Sequence, residues 1–218
     1  MRGPAPKWLA FVEPSNLRYL GFDTSLQPFK DSGIVYTPHL YDVDAKRTGR
    51  FDPAHAPALL DMASQYQDEA KRLHAALWIG EYGGNAVDPS IGVYLGTDYD
   101  GFAAAAAGST YWAYDEGGGY SMLDPQGNEV PSFVSAVVRP APARVAGTPI
   151  DWSFDAATAT FQFSYRPSGS APTVIMVPPR LYPGGMTIEC GGCDSELNGT
   201  ELSLSHVTGD PAVITISR

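Results

Sequence analysis

The residue with the most chemistry in its surroundings is Glu81, set in Trp78-Ile79-Gly80-Glu81-Tyr82-Gly83-Gly84. An apolar run leads into it and glycines follow, the pattern of a carboxylate at the C-terminal end of a buried parallel strand. A charge there loses hydration unless donors or a substrate compensate it, so the position is costly to maintain. Three other apolar runs end in the same manner: in Glu13, in His39 with Tyr41 and Asp42 behind it, and in Trp112, Tyr114, Asp115 and Glu116. In an α/β barrel all four ends converge on one mouth. Two carboxyl groups flanked by aromatic surfaces are what hydrolysis of a glycosidic bond requires, one as nucleophile or base, the other as proton donor, with rings to stack on sugars. Each residue also has a purely structural reading: Glu81 capping a helix or pairing with an arginine, His39 satisfied in a core, Tyr41 packed, Trp112 plugging a sheet.

The elements that must position these residues are legible as short apolar strands alternating with helical stretches over residues 1–138, the sign of parallel βα units. Strands are expected over Trp8 to Glu13, Gly33 to His39, Ala76 to Glu81 and Ser109 to Tyr114. Asp52-Pro53 opens a helix whose Leu59, Ala63, Tyr66, Ala70 and Leu73 recur at three- and four-residue spacing and form one buried stripe. A second helix is expected from Tyr99 to Ala107, with Asp98 as N-cap and Gly108 as the stop.

After Val138 the helical period disappears. Arg139-Pro140-Ala141-Pro142 reads as a linker, and beyond it Thr158 to Tyr165, Thr173 to Val177, Met186 to Glu189, Glu201 to His206 and Ala212 to Ser217 alternate like half-buried antiparallel strands. Turns such as Pro183-Gly184-Gly185 and Asn198-Gly199 separate them, and a small β-sandwich is the expected outcome.

Composition excludes several classes. The chain has 218 residues and a formal charge of -10, with no clustered Lys and Arg, which argues against nucleic acid and for a neutral or weakly charged substrate. No stretch approaches the roughly 20 apolar residues of a membrane-spanning helix. The opening Met-Arg-Gly-Pro-Ala-Pro-Lys-Trp lacks the apolar core of a signal peptide. Cys190 and Cys193 are two ligands short of a zinc site, so a disulfide across their Gly-Gly turn is favoured over free thiols, and neither metal nor cofactor is expected.

Tyr36-Thr37-Pro38-His39-Leu40-Tyr41, Ile79-Gly80-Glu81-Tyr82-Gly83 and Thr110-Tyr111-Trp112-Ala113-Tyr114 resemble the sixth, seventh and eighth strand ends of family 5 glycoside hydrolases, in particular the endoglycoceramidase-like branch. Arg139-Pro140 through Ala146-Gly147-Thr148-Pro149 resembles the junction to that branch's C-terminal β-sandwich, and Val177-Pro178-Pro179 and Tyr182-Pro183-Gly184-Gly185 resemble segments within it. The resemblance implies Glu81 as nucleophile, His39 and Tyr41 as contacts to it and to the sugar, and Trp112 as a stacking aromatic. Tyr114 and Asp115, at the same strand end, join the expected substrate-binding set. It departs at the proton donor: the family's Asn-Glu-Pro is missing, and Val12-Glu13-Pro14 leaves Glu13 as the best local candidate.

A full barrel takes about 250 residues, so the expected architecture is half of a (β/α)8 barrel, about four βα units over residues 1–138, followed by an antiparallel β-sandwich over 139–218. The inward face, carrying Phe11, Val35, Trp78, Ile79 and Trp112, then needs a cover, expected to be a second copy in a homodimer. The expected function is retaining hydrolysis of a β-glucoside or glycolipid. The alternative is a non-catalytic carbohydrate- or lipid-surface-binding fragment. Relatives of this type are expected to be exported, but no compartment is assigned to this chain.

Overall fold

The computed structural model describes residues 7–218, so residues 1–6, most of the segment read for an export signal, lie outside the described residues. The chain divides into two compact units, one through Val134 and one from Ser135 to Arg218.

In the first unit β1 (Ala10–Val12), β2 (Ile34–Tyr36), β3 (Ala76–Tyr82) and β4 (Gly108–Tyr111) form a parallel sheet in sequence order. Parallel neighbours require crossovers, and the two long ones contain α2 (Ala56–Leu73) and α3 (Ile91–Ala104), while the short α1 (Val43–Thr48) follows the end of β2. Leu59, Ala63, Tyr66, Ala70 and Leu73 of α2 are all buried, the stripe their spacing predicts. Asp52 accepts a hydrogen bond from the Ala54 N–H and starts the 3-10 turn Pro53–His55 that feeds this helix.

The helix expected from Tyr99 instead begins at Ile91, and Asp98 lies inside it, fully buried, rather than at its cap. The start is made by Asp88, which accepts from the Ser90 N–H at 2.8 Å, and Gly92 and Gly96 are carried inside the helix. Gly101 has a packing reason, since a Cβ there would come within 3.0 Å of the Ala63 methyl on α2.

Strand register sorts the inner residues. Phe11, Val35 and Trp78 share one face, where the Trp78 indole N–H bonds Thr110 Oγ1 at 2.8 Å. Ile79 does not belong to that face: one residue on from Trp78, it points the other way and is fully buried. Val35 is buried, whereas Phe11, Trp78 and Trp112 are 57%, 36% and 55% exposed within the single chain.

The second unit is β, apart from a 3-10 turn at Pro179–Leu181 and the end of α4 (Pro131–Val137), in which the boundary falls. Its strands are β5 (Ala141–Arg144), β6 (Gly147–Asp155), β7 (Thr160–Pro167), β8 (Thr173–Met176), β9 (Thr187–Glu189), β10 (Asp194–Asn198), β11 (Glu201–Ser205) and β12 (Ala212–Ser217). They form two antiparallel sheets, β10-β11-β8-β5 and β6-β7-β12-β9. Phe161, Phe163, Tyr165, Ile214 and Ile216 of one sheet and Ile175, Leu202 and Leu204 of the other bury into one core. The segment read as a linker is partly β5, and β6 and β10 also escaped the sequence reading. All three are edge strands, where proline is tolerated; Pro142 and Pro149 sit beside register shifts, and every residue of β10 is exposed. Cys190 and Cys193 form a disulfide with Cα atoms 5.6 Å apart.

Candidate active site

The backbone sets the site before any side chain does. Beyond the regular strands the ladder continues: Thr37 N–H donates to the Val12 carbonyl, Gly80 N–H to that of Pro38 and Leu40 N–H to that of Glu81, each at 2.9 Å. His39 thereby forms a parallel bridge with Glu81, and the C-terminal ends of β1, β2 and β3 present Glu13, His39 and Glu81 in a row. Gly80 is what lets them close up, because a Cβ there would lie 3.1 Å from the Thr37 carbonyl oxygen and 3.2 Å from the His39 ring.

The side chains meet across that row. His39 Nδ1 is 3.1 Å from Glu81 Oε2, and its Nε2 is 3.3 Å from Glu13 Oε1, so one imidazole faces two carboxylates. Tyr41 OH donates to Glu81 Oε2 at 3.2 Å. Burial, with the Glu81 charge beside it, drives the Tyr41 phenol far above its ordinary value, so it stays protonated and serves Glu81 as a donor. The Glu81 and Glu13 side chains keep 29% and 48% of their surface. A carboxylate that accepts from a phenol, lies beside an imidazole and remains partly open to solvent is equipped to attack an electrophilic carbon.

Around Tyr41 the structure gathers residues the sequence reading did not single out. Tyr120 stacks on its ring at 6.0 Å between centroids, Tyr19 meets it edge-on at 6.3 Å, and the Lys46 ammonium lies 4.6 Å from its centroid. Tyr111 OH holds the Tyr120 carbonyl at 2.8 Å. The glycine run Gly117 to Gly119, all at positive φ, was the available signal that the chain turns tightly just before Tyr120. Asp42 caps α1 through the Ala45 N–H at 2.6 Å, contacts His55 Nδ1 at 2.9 Å, and its own N–H donates to Tyr94 OH at 2.7 Å. Asp98 is fully buried, neither carboxyl oxygen has a hydrogen-bond partner among the described residues, and burial, with Asp42 adding to it, pushes its carboxyl well above the ordinary range.

The fourth strand end contributes differently. Trp112 N–H donates to the Tyr82 carbonyl at 3.0 Å, which sets Trp112 one strand over from Glu81. Its ring and that of Tyr114 stand open, and Asp115 is exposed. Among the described residues no hydrogen bond or ion pair joins the Trp112, Tyr114 or Asp115 side chains to Glu81. Also among them, no three His, Cys, Asp or Glu side chains are grouped to hold a metal ion, and no helix is long and apolar enough to cross a membrane.

Residues 139–217 match the model of the glycoside hydrolase family 5 C-terminal domain. Among solved structures, endo-glycoceramidase II from Rhodococcus sp. in its ganglioside GM3 complex superposes with a TM-score of 0.83 at 23% identity, over 99% of this chain and 51% of that one. The same protein solved as a lactosyl-enzyme intermediate gives 0.80, over 99% and 50% of the two chains, again at 23% identity. Sterylglucosidase 1 from Cryptococcus neoformans, with tris, gives 0.76 at 15% identity, over 100% and 43%. The chain spans about half the length of the endo-glycoceramidase and less of the sterylglucosidase. No curated protein matches it. At these identities the likeness carries the fold of the whole chain, and the family model places residues 139–217 with the family 5 C-terminal domains, which supports the resemblance read from the strand-end motifs.

Proposed function

We propose that this chain, whose residues 139–217 form a glycoside hydrolase family 5 C-terminal domain, supplies the nucleophile half of a retaining β-glycosidase. In this reading residues 1–138 are half of a (β/α)8 barrel and 139–218 its β-sandwich. The observation that carries it is the meeting of Glu13, His39, Tyr41 and Glu81 at three adjacent strand ends. Glu81 attacks the anomeric carbon, the bond from that carbon to the leaving oxygen breaks, and an acid, here Glu13, delivers its proton to that oxygen. Water, deprotonated by the same group, then releases the sugar with net retention. Tyr41 fixes the Glu81 oxygen that does not attack, His39 links the two carboxylates, and Trp112, Tyr114 and Asp115 line the approach to the sugar. That endo-glycoceramidase II has been solved as a lactosyl-enzyme intermediate and with ganglioside GM3 supports both the covalent step and a β-glucoside or glycolipid substrate.

The test is hydrolysis of an aryl β-glucoside, with a 2-deoxy-2-fluoro glucoside to trap the covalent adduct. A stable adduct on Glu81, and loss of turnover in Glu81→Gln, are expected. Sugar binding without adduct or turnover would leave a carbohydrate-binding fragment instead. The reading extends to a second copy of the chain covering Phe11, Trp78 and Trp112, because large apolar side chains left in water each forgo roughly 1.5–3 kcal/mol. Light scattering that gives a monomer across micromolar dilution sinks that extension.

A further inference from the structure

Lys46 lies on α1, one residue past the position that Asp42 caps, and its charge has an unusual setting. Its Nζ sits 4.6 Å from the centroid of the Tyr41 ring and 4.7 Å from that of Tyr19. Among the described residues no carboxylate lies within ion-pair distance of it, although Arg47 beside it pairs with Asp44. An exposed ammonium in an acidic protein ordinarily finds a carboxylate or water. Here it is directed onto two π faces, an attraction that operates within about 6 Å of a ring centroid.

We infer that Lys46 is a positioning residue for Tyr41: its ammonium gathers Tyr19 and Tyr41, and so holds the Tyr41 hydroxyl on Glu81. This inference rests on the reading of Glu81 as nucleophile. Three constraints act on Tyr41 from different parts of the chain. Its backbone is fixed by the Asp42 cap and the Asp42 N–H bond to Tyr94, its ring is flanked by Tyr120, and Lys46 ties it to Tyr19 on the turn Asn16–Leu20 after Glu13. Of the three, only Lys46 brings a positive charge to the ring. A cation at the ring draws electron density from the phenol and makes its O–H a stronger donor to the Glu81 carboxylate. It also connects the segment bearing Glu13 to the segment bearing Tyr41, so the two carboxyl groups are placed by one device.

The experiment labels the full chain with tyrosine enriched in 13C at Cζ and assigns the Tyr41 resonance with Tyr41→Phe. Wild type, Lys46→Met, Lys46→Gln and Lys46→Arg are compared, together with kcat and KM on an aryl β-glucoside. The Tyr41 resonance is expected to move in Lys46→Met and Lys46→Gln and to stay near its wild-type position in Lys46→Arg, which keeps the cation. Turnover falls roughly five- to tenfold in the uncharged variants with KM little changed, the scale of two modest cation–π contacts. An unmoved Tyr41 resonance in both uncharged variants overturns the inference, and so does an arginine variant that behaves like methionine. Because the resonance is read without turnover, a wild-type chain that fails to hydrolyse the glucoside while Lys46→Met still shifts Tyr41 sinks the hydrolase reading and leaves the placement of Lys46 supported.

Discussion

The strand ends of the parallel sheet and the core of the β unit solve opposite problems with the same chain. In the β unit, Phe161, Phe163, Ile175, Leu202, Ile214 and Ile216 are sealed from water, Cys190 and Cys193 close their own turn, and the exposed edge strand β10 is polar. At the strand ends of the sheet two carboxylates flank a histidine and aromatic rings stand open, and within α3 of the same unit Asp98 is buried with no hydrogen-bond partner among the described residues. The first arrangement maximises burial and leaves little to do chemistry. The second keeps charged groups close together and partly dry, which is costly unless a ligand or transition state is there to meet them.

The comparison predicts how each region fails. On the proposed function, Glu81→Gln should remove turnover by on the order of 10⁴-fold or more while urea unfolding stays near wild type, the signature of a residue that serves chemistry rather than packing. If the variant also lowers the unfolding midpoint strongly, Glu81 is structural and the contrast collapses. Phe163→Ala should do the reverse, destabilising the β unit by roughly 3–5 kcal/mol, read from the urea midpoint, with the Tyr41 and Glu81 geometry retained. Replacing Cys190 and Cys193 by serine opens a very short loop and should cost about 2 kcal/mol on the loop-entropy scale, measured in the same unfolding experiment.

Asp98→Asn gives the finest test. In the folded chain burial keeps the Asp98 proton on at pH values where the unfolded side chain, ordinarily near 3.8, has lost it. Between those two pKa values the native state binds more protons than the unfolded state, so stability falls as pH rises through that window and levels off above it. Asparagine cannot ionise, so the stability of the variant relative to wild type should increase as the pH is raised from about 4 to 8. A difference that stays flat over that range would show that Asp98 finds a partner when ionised, and would remove the buried acid from the contrast.

Much of this was legible in the sequence, and for identifiable reasons. The α2 stripe from Leu59 to Leu73 follows from a period that no tertiary context overrode, and the apolar runs ending in Glu13, His39 and Glu81 mark parallel strands because such strands ordinarily have both faces covered, as β2 does within this chain. The four parallel strands and the antiparallel unit after them were therefore readable. The start of α3 was not, because Gly92 and Gly96 weaken a helix locally, whereas the buried face of the helix, including Gly101 set against Ala63 of α2, is decided by packing. Nor were β5, β6 and β10, whose prolines and polar residues are permitted only because each strand lies at a sheet edge, a property of topology rather than composition. In the site, the residue types and strand-end positions of Glu13, His39, Tyr41 and Glu81 came from local pattern. That His39 stands between the carboxylates, that Tyr41 is ringed by Tyr19, Lys46 and Tyr120, and that Asp98 is an orphaned acid rather than a helix cap were decided by contacts between segments far apart in the chain. No local period encodes such contacts, so tertiary structure alone fixes them.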